Sequence, residues 1–243
     1  PIIPADALTL TGEYGQLPSL PAVGGREGVR GVAELGADAR GHAVGQLVLL
    51  PVGCGTWATH VVAEADQLVP LPNEADPLQL SMMTINPPTA ALLLSEHVAL
   101  EQDEWVIQNA ANSAVGVYLV QLARHRLGID AVGGTATGRL ASCLCSGATL
   151  VNYGRMSGEP CIVEPEAFIF RDLTMQGFWL ARWFSHTPEQ QRSAVVGEIA
   201  GLIATGKLHA PIQAAYDVSE IKEAVAAAAS GGRSGKILIV PRH

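Results

Sequence analysis

The chemistry available to this chain is concentrated first in one turn. Trp105-Val106-Ile107-Gln108 reads as a buried strand, and it runs into Asn109-Ala110-Ala111-Asn112-Ser113-Ala114-Val115-Gly116. An amphipathic helical stretch, Val117 to Arg126, follows. Small side chains let a backbone come close to a pyrophosphate, and the free amides opening the helix favour its negative charge. Strand, small-residue turn and helix, in that order, open a dinucleotide-binding unit. The turn alone does not decide the matter, because Gly and Ala also serve close backbone packing. The thiols carry a different message. Cys54, Cys143, Cys145 and Cys161 lack the C-x2-C spacing of a structural zinc lobe, and scattered thiols fit a reducing, cytoplasmic setting.

The elements that must position this turn follow from the hydrophobic pattern. Before Asn86 the chain is rich in Gly, Pro and Val, and Val29 to Leu35, Gln46 to Pro51 and Thr59 to Ala63 read as short strands. Pro88 to His97 predicts a helix with Pro near its start, followed by an acidic turn, Glu101 to Glu104. The helix after the turn is expected to stop at Gly128. Beyond it come Ile129-Asp130-Ala131-Val132-Gly133-Gly134, a helix near Thr137 to Leu144, and strands at Ala148 to Tyr153 and Leu173 to Leu180. Thr187 and Pro188 predict the start of a helix that carries Val195, Val196, Ile199, Leu202 and Ile203 at helical spacing and stops by Gly206. Ser219 is the expected cap of an Ala-rich helix ending at Gly231-Gly232, and Lys236 to Val240 is the expected last strand. The whole predicts the α/β class.

Composition narrows the partners. Of 243 residues 48% are hydrophobic and 16% charged, enough to bury a real core. The net charge of -8, with no basic stretch, argues against a nucleic-acid partner. Apolar runs such as Ala90 to Leu94 are far too short to span a membrane, and no charged-then-apolar signal opens the sequence.

Six blocks, taken in order, carry a family resemblance. They are Gly12-Glu13-Tyr14-Gly15-Gln16-Leu17-Pro18, then Leu20 to Gly28, then Thr84-Ile85-Asn86-Pro87-Pro88-Thr89-Ala90, then Gln108 to Ser113, then Asn152-Tyr153-Gly154-Arg155-Met156, and Gly177-Phe178-Trp179-Leu180. This set resembles the zinc-free medium-chain dehydrogenase/reductase superfamily, and within it the mitochondrial-type 2-enoyl thioester reductases and the quinone reductases. The resemblance implies a GroES-like, β-rich catalytic domain from residues 1–86 and 182–243, and a Rossmann-type domain from 87–181. It implies an oxidoreductase that passes a hydride from NADPH to an activated C=C or a quinone on a small hydrophobic substrate, and a homodimer. Tyr14 would be the catalytic residue, donating to the oxygen that gains negative charge; a phenol can do this without being ionised near neutral pH. Asn86 would contact cofactor or substrate. Asn112, Ser113, Ala114, Val115 and Gly116 would meet the pyrophosphate. Tyr153, Gly154, Arg155, Met156, Phe178, Trp179 and Leu180 would line the nicotinamide, and Lys236 would reach in from the last strand. Zinc-dependent relatives carry Gly-His-Glu where this chain has Gly25-Arg26-Glu27; an arginine cannot replace the imidazole as ligand, so no metal is expected.

One departure is large. A Rossmann domain needs two βαβαβ halves. Between Gly116 and Ile129 the chain holds a single helix, so its second and third strands, about 50 residues, have no sequence to occupy. Ile3 also stands where relatives carry Asn, and Ala114 replaces a common glycine. A chain lacking that half is compatible with a second function: a cofactor-independent relative that binds a small molecule, or isomerises or cyclises one with Tyr14 as acid.

Overall fold

The computed structural model describes residues 1–97, 105–122, 126–230, 232 and 234–240. They form two compact units, one of residues 1–85 with 196–243 and one of residues 86–195. The expected acidic turn at Glu101 to Glu104 lies outside the described residues, as do the tail of the Val117 to Arg126 helix at 123–125 and Gly231.

The first unit opens with helix α1 (Pro4–Thr11), which has Pro at its first position. The Asp6 carboxylate accepts the Ile3 N–H at 2.9 Å, and Gly12, at φ +79°, closes the helix in a left-handed turn that glycine adopts without penalty. Strands β1 (Val29–Gly31), β2 (Leu47–Leu49) and β3 (Val69–Pro70) form an antiparallel sheet in that order, with Val29 opposite Leu49. Residues 59–63, expected as a strand, join no ladder; Val62 is 100% exposed, so the alternation there has no core to face. Helix α2 (Pro77–Leu80) follows, its first turn capped by Asp76.

The second unit begins with α3 (Asn86–Ser95), whose two prolines lie in the first turn, where no N–H is needed. Then come β4 (Trp105–Gln108), α4 (Ala114–Leu122), β5 (Arg126–Asp130), α5 (Thr135–Ser142), β6 (Thr149–Asn152), α6 (Pro165–Ile169), β7 (Thr174–Gly177) and α7 (Leu180–His186). The four strands form one parallel sheet in the order β4-β5-β6-β7. Leu150 and Val151 of β6 are fully buried, and Leu140, Ala141, Ala148, Ala167 and Leu173 pack with Leu150 in one core. Gly128 corrects one expectation: it ends no helix but sits inside β5, opposite Ile107 and Leu150. A Cβ there would lie 2.7 Å from Leu144, so close packing, not a turn, requires the glycine. The strand expected over Leu173 to Leu180 stops at Gly177, and α7 begins three residues later.

Helix α8 (Glu189–Ala204) leads back into the first unit and buries Val196, Ile199, Ala200 and Ile203. Strands β8 (Ile212–Tyr216) and β9 (Lys236–Ile239) pair in parallel around α9 (Ile221–Ala229). The expected cap Ser219 is itself held by the real one: the Asp217 carboxylate accepts both its N–H and its hydroxyl and turns the chain into α9. By contacts the chain divides after residue 195, so α7 and the start of α8 go with the parallel sheet. No described helix is long and apolar enough to cross a membrane.

Candidate functional site

In the second unit the turn after β4 is held tight. Ala110 adopts φ +49°, unusual for a residue with a Cβ. Its carbonyl accepts the Ser113 N–H at 2.8 Å, and the Ser113 hydroxyl accepts the Gly116 N–H at 3.1 Å. A Cβ on Gly116 would stand 2.7 Å from the carbonyls of Ala110 and Ala111, so only glycine lets α4 start this close to the turn. The expected pyrophosphate residues therefore divide. Val115 and Gly116 are buried, and the Gly116 amide is already engaged. Asn112 is exposed, Ser113 and Ala114 are half-buried, and the first-turn amides of Ala114 and Val115 have no carbonyl one turn back within the helix.

Asp130, absent from the sequence-based site, organises the strand ends. It is fully buried at the end of β5. Its Oδ1 accepts from the Asn109 side chain and from the amides of Val132 (2.9 Å) and Gly133 (3.1 Å); its Oδ2 accepts from the Thr137 hydroxyl (2.6 Å) and Asn152 Nδ2 (3.0 Å). Burial raises its pKa, but these donors outweigh it and hold the carboxyl below its ordinary value. Asn109 returns the favour by accepting the Ala131 N–H at 2.8 Å, which ties β4 to β5.

The loop after β6 packs on this hub. A Cβ on Gly154 would meet the Ala131 carbonyl at 2.5 Å, and Asn152 Nδ2 donates to the Gly154 carbonyl at 2.9 Å. Burial pushes the Tyr153 phenol up to about 12, against the effect of a hydrogen bond with Ser113, so this hydroxyl stays neutral and joins the β6 loop to the turn. Arg155 and Met156 are exposed. Phe178 meets the His97 ring edge-on at 5.6 Å, and His97 is itself held by Gln176 at 2.8 Å. Trp179 is exposed, and Leu180 opens α7. Asn86, the first residue of α3, is buried, and its Nδ2 finds no acceptor among the described residues. An orphaned buried donor is rare and marks a place where a ligand oxygen would be stabilised.

In the first unit, Glu13 and Tyr14 fold their amides back onto the Leu8 carbonyl past the end of α1, which fixes where the Tyr14 ring stands. The Arg26 guanidinium lies over that ring, 4.5 Å from its centroid. Next to it in sequence, Glu27 is buried; its Oε2 accepts the Ile85 N–H at 3.0 Å, while its Oε1 has no partner among the described residues. Burial raises Glu27 to about 7, although Lys236 pulls it back. Lys236 is buried at the start of β9, close enough to favour the charged forms of Glu27 and Asp6. Among the described residues, no group of three or more His, Cys, Asp or Glu could hold a metal ion.

A β-rich unit and a unit built on a four-stranded parallel sheet define a two-unit α/β chain. The profile of the zinc-binding dehydrogenases matches residues 111–239, and that of the alcohol dehydrogenase GroES-like domain matches residues 1–73. The mitochondrial enoyl-acyl-carrier-protein reductase of Xenopus tropicalis is 31% identical over 266 positions, covering 87% of this chain and 76% of the relative. Among solved structures, the Etr1p complex with NADP and crotonyl-CoA superposes with a TM-score of 0.86 at 23% identity, covering 93% of this chain and 85% of that one. An NADPH:quinone reductase of Bacillus thuringiensis does so with 0.85 at 24% identity, covering 98% and 86%. The chain belongs to the medium-chain dehydrogenase/reductase superfamily.

Proposed function

We propose that this chain is an oxidoreductase that reduces an activated C=C, such as a 2-enoyl thioester, or a quinone with a reduced nicotinamide cofactor. The observation that carries it is Tyr14 under the Arg26 guanidinium, because a donor hydroxyl backed by positive charge suits an oxygen that gains negative charge during reduction. The nicotinamide and pyrophosphate portions of NADPH fit the residues present. The orphaned Nδ2 of Asn86 and the first turn of α4 supply donors, and Tyr153 and Phe178 supply ring surface. The adenosine portion finds no corresponding strand. When bound, the cofactor supplies the hydride. Tyr14 then donates its hydrogen bond to the thioester or quinone oxygen, and Arg26 holds the ring in place. A homodimer belongs to the same proposal, as the family resemblance implies, and sedimentation of the purified chain tests it.

Consumption of the reduced cofactor with crotonyl-CoA and with a benzoquinone tests the activity. Tyr14→Phe is expected to lower kcat by about 10²–10⁴-fold while leaving the folded state intact. Wild-type turnover in that variant would remove Tyr14 from the chemistry. Prolonged dialysis against a chelator should leave the rate unchanged, because Arg26 cannot ligate zinc in place of an imidazole.

A further inference from the structure

Between Gly116 and Asp130 the chain has 13 residues, and α4 and β5 use them. Accordingly β4 pairs with β5 alone among the described residues. The match to the Xenopus reductase runs over 266 positions but takes up 87% of a 243-residue chain, so roughly 55 positions of that relative face no residue here. In a dinucleotide domain, the group that reads the adenosine ribose or its 2′-phosphate stands at the end of the strand after the first helix. Here that strand is absent: β5, the next in the chain, pairs on to β6 and so takes the fourth position of such a sheet, and it ends in Asp130. Both Asp130 oxygens are committed, to Asn109, Val132 and Gly133 on one side and to Thr137 and Asn152 on the other. This carboxylate, the next in the chain to end a strand, is buried and engaged in holding the strand ends, so it does not stand in for the missing reader. It has no free lone pair facing outward for a ribose hydroxyl. By contrast, the amides of the turn and the Asn86 donor are still there.

Resting on the reductase reading above, we propose that the site recognises the nicotinamide mononucleotide half of its cofactor and not the adenosine half. NADPH, NADH and reduced nicotinamide mononucleotide are then accepted alike. A complete dinucleotide domain selects between the first two through the 2′-phosphate and binds the third weakly; this one has neither basis for selection.

The test is equilibrium binding of each reduced compound to the intact chain, read by its own fluorescence and without substrate. The three dissociation constants are expected to agree within about threefold, less than 1 kcal/mol. An excess of adenosine 2′,5′-bisphosphate should displace none of them. NADPH binding more than tenfold tighter than the other two, or displacement by the bisphosphate, would overturn the proposal, while the reductase reading would survive. Binding of none of the three compounds would sink both.

Discussion

Glu27 and Asp130 are buried carboxyls with opposite consequences. Glu27 is buried with one oxygen unpartnered, and its folded pKa of about 7 stands above the 4.5 of an unperturbed glutamate. The folded state therefore holds its proton more tightly than the unfolded chain. That contribution to stability is complete at low pH and is lost as pH rises from 4.5 through 7. Glu27→Gln keeps the oxygen that accepts from Ile85 and removes the buried charge. At pH 8 it should be more stable than the wild type by about 1–3 kcal/mol, with a flatter pH profile; chemical denaturation at pH 5 and pH 8 measures it. Asp130 runs the other way. Its donors hold the carboxyl below the ordinary aspartate value, so its contribution is present above the unfolded pKa and disappears as acid protonates the folded protein. Asp130→Ala leaves Thr137, Asn152 and two amides without their acceptor and is expected to cost about 3 kcal/mol. Asp130→Asn should lose the acid dependence that the wild type shows. Neither residue was legible as a hub in the sequence. An acidic residue before Ala-Val-Gly-Gly says nothing of the Asn109 and Thr137 side chains that come to it from other elements. The stack of Arg26 on Tyr14 was hidden for the same reason, although the reactive potential of Tyr14 followed from its motif.

At the scale of elements, the strand–turn–helix at 105–116 was legible because a short apolar run and a small-residue turn are local signals. The register of β5 was not: Gly128 looks like a helix stop in sequence, and only its contact with Leu144 shows why a strand carries a glycine there. Likewise α1 and α7 are short and gain their place from packing rather than from a long periodic face. The turn itself allows a sharp test. Gly116→Ala puts a methyl within 2.7 Å of two backbone carbonyls, which cannot swing aside as a flexible side chain would. The start of α4 must shift, at a cost of about 1–3 kcal/mol, and cofactor affinity should fall with it. The opposite change, Ala110→Gly, relieves a positive φ and should be neutral or stabilising by up to about 1 kcal/mol. Thermal melts of the two variants should move in different directions; a destabilised Ala110→Gly would mean that the alanine methyl packs on something the turn needs.

For the whole chain, the missing piece was countable from sequence, since two strands and their helices cannot fit between Gly116 and Asp130. What counting could not give is the outcome: the sheet closes up as β4-β5-β6-β7, and β4 becomes its border. In a parallel ladder alternate residues donate to a given neighbour. Asn109 donates to Ile129 of β5 at 3.2 Å, so by parity the amides of Val106 and Gln108 point to the side away from β5. No described strand lies there. Leu150 and Val151, by contrast, lie in β6 between β5 and β7. Amide hydrogen exchange should therefore be at least about tenfold faster at Val106 and Gln108 than at Leu150 and Val151, a difference of roughly 1.4 kcal/mol in local opening. Equal protection in β4 and β6 would show that this border is covered in solution. The chain would then have replaced its lost strands with another surface, and a lasting open edge, with its tendency to pair with other chains, would be ruled out.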